Sequence, residues 1–197
     1  MSAGGEATAA GSTDDRRAAR RLALPRLLAV LVDWGVLLLW GAVLFGVTWA
    51  TVGVDLETTP SAGEGQLLGL LTMTLPAVLG FAVLEARGGA TPGKRLLGLA
   101  VVDAHAPHAD GAAPVRLGFG RALLRNALKF TPWEAGHTVV WQLSTAGEAG
   151  PPAWIWAAVA VSMLGPQLYV GTLLLRGRTP YDVAAGCAVV RAADLRA

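Results

Sequence analysis

Cysteine occurs once in the 197 residues, at Cys187. A single cysteine excludes an intrachain disulfide and a cysteine-based zinc or iron–sulfur site, and its position excludes an N-terminal lipidated cysteine. Charged side chains are also scarce, at 15% of the chain against about 25% in soluble domains. With 53% of the residues hydrophobic, a soluble domain of this size could not hide its apolar surface, because most of a small fold's surface faces water. Ordinary soluble and disordered chains are both excluded. The formal net charge is only +2, and proline, glycine and acidic residues interrupt any basic stripe, so no nucleic-acid partner is expected. What remains is an integral membrane protein whose first partner is the lipid bilayer.

The cations are unevenly placed. All 16 lysines and arginines fall in three blocks, at residues 16–26, 87–129 and 176–196. The intervals between blocks hold 60 and 46 residues with acidic groups and no cation. Cation-rich segments stay in the cytoplasm, so the blocks share one side and an even number of crossings separates each pair. Residues 27–49 and 66–84 are apolar runs long enough to span, and 51–65 is a polar, acidic outer loop. Residues 153–175 form another span. Parity then asks for one more crossing near 117–143. That stretch carries Arg121, Arg125 and Lys129 on one helical face and Pro132 within it. It is expected to enter the membrane and break near Pro132; full crossing and an interfacial or re-entrant course both remain open.

The expected fold is an all-α membrane protein, a bundle of three to four transmembrane helices with a small cytoplasmic β-hairpin and a short C-terminal helix. A disordered cytoplasmic tail covers 1–24, a transmembrane domain 25–191 and a C-terminal tail 192–197. The hairpin insert lies at 95–118, with residues 96–103 and 115–117 as its strands around an Asp110-Gly111 turn signal. Both termini are expected in the cytoplasm, at the plasma (inner) membrane.

Three segments carry a family resemblance. They are Arg26-Leu-Leu-Ala-Val-Leu-Val-Asp33, Ala90-Thr-Pro-Gly-Lys-Arg-Leu-Leu-Gly-Leu-Ala-Val-Val-Asp103 and Arg178-Thr-Pro-Tyr-Asp182-Val-Ala-Ala-Gly186. Together, in this order, they resemble the RDD family of membrane proteins, named for one arginine and two aspartates that fall here on Arg26, Asp33 and Asp182. The resemblance implies a multi-span bacterial membrane module for which ligand or cation transport has been proposed.

Asp33 is the most informative residue. It lies two helical turns from Arg26, on the same face but about 10 Å along the axis, too far for a tight pair. An ionised aspartate at that depth costs about 2.5–3.5 kcal/mol unless paired or hydrated. A cation from another segment is therefore expected beside it, Arg121 or Arg125. Two readings stand: a proton- or cation-binding carboxylate in a polar cavity, or an ion pair that locks helices together. Glu134 and His137 share a helical face between Trp133 and Trp141, which suits a proton relay or solute contact, or a tryptophan-anchored interfacial helix. Asp182 follows Thr179 and Pro180, an N-cap and N1 pair, so a helix running to about residue 190 should begin there and bring Asp182 within reach of Arg26 or another basic side chain.

Other motifs carry less. Gly88 to Arg95 nearly spells a phosphate-binding loop, but Arg95 replaces its hydroxyl and no strand precedes it. It reads as a tight turn with Lys94 and Arg95 at anionic headgroups. His105, His108 and Asp110 sit in a loop without rigid support, so no metal is expected. Ser144 and Ser162 lack a nucleophile-elbow setting, and neither an enzyme nor a cofactor is expected. The functional expectation is transport of an ion or small solute through a polar cavity involving Asp33, Glu134, His137 and Asp182. The alternative is a non-catalytic scaffold or accessory subunit. A homo-oligomer or a membrane partner protein fits either.

Overall fold

A computed structural model describes residues 21–51, 60–106, 115–148 and 150–195. Residues 1–20 of the expected disordered tail, most of the outer loop, His108 and Asp110 lie outside these residues, whereas Ala23 and Leu24, also expected in the tail, are helical. Helix α1 is Ala23–Thr51, α2 is Ala62–Gly88 and α3 is the short Pro92–Leu96. Strand β1, Leu99–Asp103, precedes α4, Phe119–Ser144, and α5, Ile155–Arg176. The short α6, Pro180–Ala184, strand β2, Cys187–Arg191, and a 3-10 turn at Ala193–Leu195 complete the chain. Three helices, α1, α2 and α5, are long and apolar enough to cross a membrane. Helices α1 and α2 extend a few residues beyond the spans expected from sequence at both ends, and α5 nearly coincides with its expected span.

Helix α4 is the hub, packing on α2 along one side and on α5 along the other. It runs antiparallel to α2 over nearly the whole length of both, from Arg125 beside Glu85, through Phe130 beside Phe81, to Trp141 over Gly65. It is also antiparallel to α5, with Leu128 beside Tyr169 and Pro132 beside Gly165. The expected break at Pro132 does not occur. Pro132 has no N–H to give to the carbonyl of Leu128, a loss that ordinarily kinks a helix. The Tyr169 hydroxyl donates to that carbonyl at 2.6 Å, and the proline ring fills the space where Gly165 has no side chain. A neighbouring helix thus satisfies the orphaned carbonyl, and α4 continues without interruption.

The same remedy appears at Pro76 in α2. Ahead of it the helix widens into a π-helical turn at Leu70–Thr74, with the Leu75 amide bonded to the Leu70 carbonyl. The carbonyl of Thr72, which Pro76 cannot serve, accepts the Trp40 indole N–H at 2.9 Å. A proline is a common cause of such a local rearrangement.

The small sheet corrects the expected hairpin. β1 pairs antiparallel with β2, Leu99 opposite Arg191 and Asp103 opposite Cys187. The expected partner, residues 115–117, contributes one isolated bridge, Val102 to Arg116. The apolar run after Asp182, expected to be helical to about residue 190, is helical only to Ala184 before turning at Gly186 into β2. Leu99, Val101, Cys187 and Val189 bury one face of this sheet against Leu117, Ala122, Ala29 and Ala82. The sheet therefore closes one end of the bundle. A second core, Leu37, Ala77, Val78, Phe81 and Phe130, fills the middle. Outside, Leu31, Leu38, Leu39 and Phe45 are 65–69% exposed, as a lipid-facing surface requires.

Candidate functional site

Next to the sheet, seven charged side chains meet inside the protein. The α2–α3 connection makes this meeting geometrically accessible. Thr91 caps α3, its hydroxyl facing the Lys94 amide, and the turn folds back onto α1. Gly93 comes so close to the Ala29 carbonyl that a Cβ would overlap it, so only glycine allows the approach. Its amide donates to Asp33 at 2.8 Å, and the Thr91 hydroxyl donates to the other carboxylate oxygen at 2.8 Å. Asp33 is thus held by a backbone amide and a hydroxyl. The ammonium of Lys129 stands 3.8 Å away.

Glu85, fully buried, accepts from Lys94 Nζ at 2.7 Å, Arg125 Nη1 at 2.6 Å and Asn126 Nδ2 at 2.9 Å. Arg125 reaches in the opposite direction to Asp182, with its Nε 3.0 Å and its Nη2 2.9 Å from Oδ1, and lies over the Tyr181 ring. Asp182 also accepts from Arg26, whose other nitrogen donates to the Gly177 carbonyl at 3.0 Å. The charges alternate: Lys94, Glu85, Arg125, Asp182, Arg26, with Asp33 and Lys129 alongside. Thr179 and Asp182 form a capping box at the start of α6. Burial alone would raise the pKa of Asp182, but Arg125 and Arg26 outweigh it and hold the carboxyl below the ordinary carboxylate range. Burial pushes the neighbouring Cys187 thiol up to about 11.

The sequence profile of the RDD family matches residues 20–186. The chain belongs to the RDD family. No curated protein and no solved structure matches it. The arginine and two aspartates that carry the RDD resemblance all sit in this cluster: Arg26 and Asp182 touch, and Asp33 lies a turn or two deeper along α1.

The partners of Asp33 are a correction. Arg125 is committed to Glu85 and Asp182, while Arg121 binds Asp103 and donates to the Ala185 carbonyl at 2.7 Å. Arg121, with the His105 amide, lowers the pKa of Asp103. Lys94 is corrected too: it is buried on Glu85 rather than placed at headgroups. Sequence reasoning noted Glu85 and Lys129 only as charges, and missed Asn126 and Thr91. The available signal was the repeat of residues 122, 125, 126, 129, 130 and 133 on one face of α4, an inward stripe that is half polar.

The four residues proposed for transport do not converge. Glu134 faces α2 and accepts from the Thr74 hydroxyl at 2.6 Å and from Gln66. His137 packs where Gly69 lacks a side chain and lies 5.6 Å from the Trp133 ring. A cavity of about 590 Å³ lies between α1, α4 and α5, lined by Asp33, Lys129 and His137 but not by Glu134 or Asp182. Arg26, Lys94 and Arg125 border its charged end, and its walls are mainly apolar.

Proposed function

We propose that this RDD-family membrane protein is non-catalytic and takes an ion or small solute into the cavity between α1, α4 and α5 on its way across the bilayer. The observation that carries the reading is the cavity itself, about 590 Å³, within the range of about 300–1,000 Å³ usual for ligand sites. A charged end and apolar walls suit a solute that leaves water only in part.

The proposed orientation places four crossings in the plasma (inner) membrane, with both termini and the sheet in the cytoplasm. Its support is that, among the described residues, every cation but Arg125 and Lys129 lies at the sheet end of the helices or in the segments closing it. Helix α4, with 26 residues, is about 39 Å long at 1.5 Å per residue, enough for a hydrocarbon core of about 30 Å. Most of its polar residues, Arg125, Asn126, Lys129 and Glu134 among them, turn toward the protein, which explains its unremarkable hydropathy.

Purified protein in proteoliposomes, offered small cations and anions in turn, tests the proposal. Flux above that of empty vesicles is expected, altered by Asp33→Asn and by Lys129→Gln. A folded protein that carries none of them contradicts it. One observation favours the scaffold reading: Asp33, Glu85, Glu134 and Asp182 all already accept protein donors. That reading expects no flux from native protein or from either variant.

A further inference from the structure

The charges around the cavity do not cancel. Four cations, Arg26, Lys94, Arg125 and Lys129, face three carboxylates, Asp33, Glu85 and Asp182. The surplus is localised. Arg26, Lys94 and Arg125 each hydrogen-bond a carboxylate, whereas Lys129 makes no hydrogen bond with the described residues. Its ammonium stands 3.8 Å from an Asp33 oxygen that already accepts the Thr91 hydroxyl. It rests against the faces of Phe81 and Phe130, 5.3 and 5.9 Å from their centroids. An ammonium has three donors to satisfy, and burying it among aromatic rings satisfies none of them fully. One turn further along the same face of α4, the buried indole N–H of Trp133 also lacks a partner among the described residues. Both side chains line the cavity.

Beyond these donors the cavity is mainly apolar, walled by Leu37, Val139, Val140, Met163, Val170 and Leu173, with His137 and Ser162 among its polar exceptions. Helix α1 packs mainly on α3 and the π turn of α2, whereas α5 packs on α4. Apart from the Arg26 hydrogen bond to the Gly177 carbonyl at the end of α5, the two outer walls are not closely packed along their lengths, which leaves room for a chain to lie between them. A small hydrated cation would meet a surplus of positive charge, and a small inorganic anion would leave the apolar walls unused.

We propose that the cavity binds an anionic amphiphile, a single negatively charged head on a long acyl chain, with the head on Lys129 and Trp133 and the chain along the apolar walls between α1 and α5. The inference rests on the cavity being a solute site and names the chemical class of that solute. The same chemistry has two sources, a free fatty acid and the head of an anionic bilayer lipid.

Native mass spectrometry of the full chain in a neutral detergent tests it. The probes are oleate against methyl oleate, dioleoyl phosphatidylglycerol against dioleoyl phosphatidylcholine, and acetate. Saturable binding of one acid or anionic lipid is expected, with about a tenfold preference over its neutral counterpart. Lys129→Gln should reduce that preference to about twofold or less, and Lys129→Arg should restore most of it. The better of the two charged probes identifies the source. Equal binding of charged and neutral probes by native protein overturns the proposal, as does acetate displacing oleate at similar concentration. A preference unchanged in folded Lys129→Gln overturns the head position. If small ions cross proteoliposomes but no charge preference is seen, this inference fails while the transport reading stands. If the preference is seen without any flux, the transport reading fails and the ligand class stands.

Discussion

The two halves of the bundle treat their polar groups differently. At the sheet end, three buried carboxylates bind cations, a hydroxyl or backbone amides that come from distant parts of the chain. In the other half, Glu134 binds only neutral donors from α2, and the Gln66 amide oxygen, the His137 Nδ1 and the Trp141 indole N–H are buried without partners among the described residues, against the Asn126 Oδ1 and the Arg178 Nε at the sheet end. The first half behaves as a fastening between α1, α2, α4 and α6. The second has polar groups to spare, and a bilayer protein that must admit a solute needs such uncommitted groups somewhere. The difference separates ionic residues that hold the fold from those available to something else.

The largest expected effect breaks the fastening at its middle. Arg125→Met removes the bridge between Glu85 and Asp182 and should destabilise by about 3–5 kcal/mol, a large part of a typical total of about 5–15 kcal/mol. Thermal unfolding in detergent would detect it, and loss of less than about 1 kcal/mol would mean the network is dispensable. Asp182→Asn should come next, and Asp182→Ala should lose about 0.5–1 kcal/mol more, because alanine also gives up the carboxyl-side contact of the capping box. The acid limb sharpens this. A carboxyl whose folded pKa is depressed contributes stability above its unfolded value, about 3.9, and loses it as pH falls through the folded value. Native protein should therefore weaken more than Asp182→Asn between about pH 4 and pH 2, with no such difference near pH 7.

How far the sequence foretold this depends on the range of each interaction. The capping box at Thr179 and Asp182 is local, so three adjacent residue types announced it. The spans were announced by long apolar runs. Continuity through Pro132 was not, because it depends on the Tyr169 hydroxyl reaching Leu128 across 41 residues. Strand β2 was hidden because Ala-Val-Val suits a membrane helix as well as a strand, and only its pairing with β1 decides. The choice of Lys129 over Arg121 or Arg125 for Asp33 followed from competition: both arginines find carboxylates elsewhere, and Glu85, the carboxylate that accepts from Arg125 and Lys94, carried no local sign of being buried.

Tyr169→Phe tests the packed middle between the two halves. It leaves the Leu128 carbonyl without its donor and should lower stability by about 1–3 kcal/mol, with unchanged helical content by circular dichroism. A loss of helix would place the break at Pro132 after all. The smallest effect is expected at the far end. Glu134→Gln keeps an acceptor for the Thr74 hydroxyl and a partner for Gln66, so thermal stability should change by about 1 kcal/mol or less. A loss comparable to that of Arg125→Met would erase the contrast between the halves.

The contrast rests on the buried charges at the sheet end being committed to one another. A double-mutant cycle on Arg26 and Asp182, using Arg26→Met, Asp182→Asn and the double variant, measures that commitment by thermal unfolding. The account predicts a favourable coupling of about 1–3 kcal/mol, so that the double variant loses less than the sum of the two single losses. Losses that add within about 0.5 kcal/mol would contradict it.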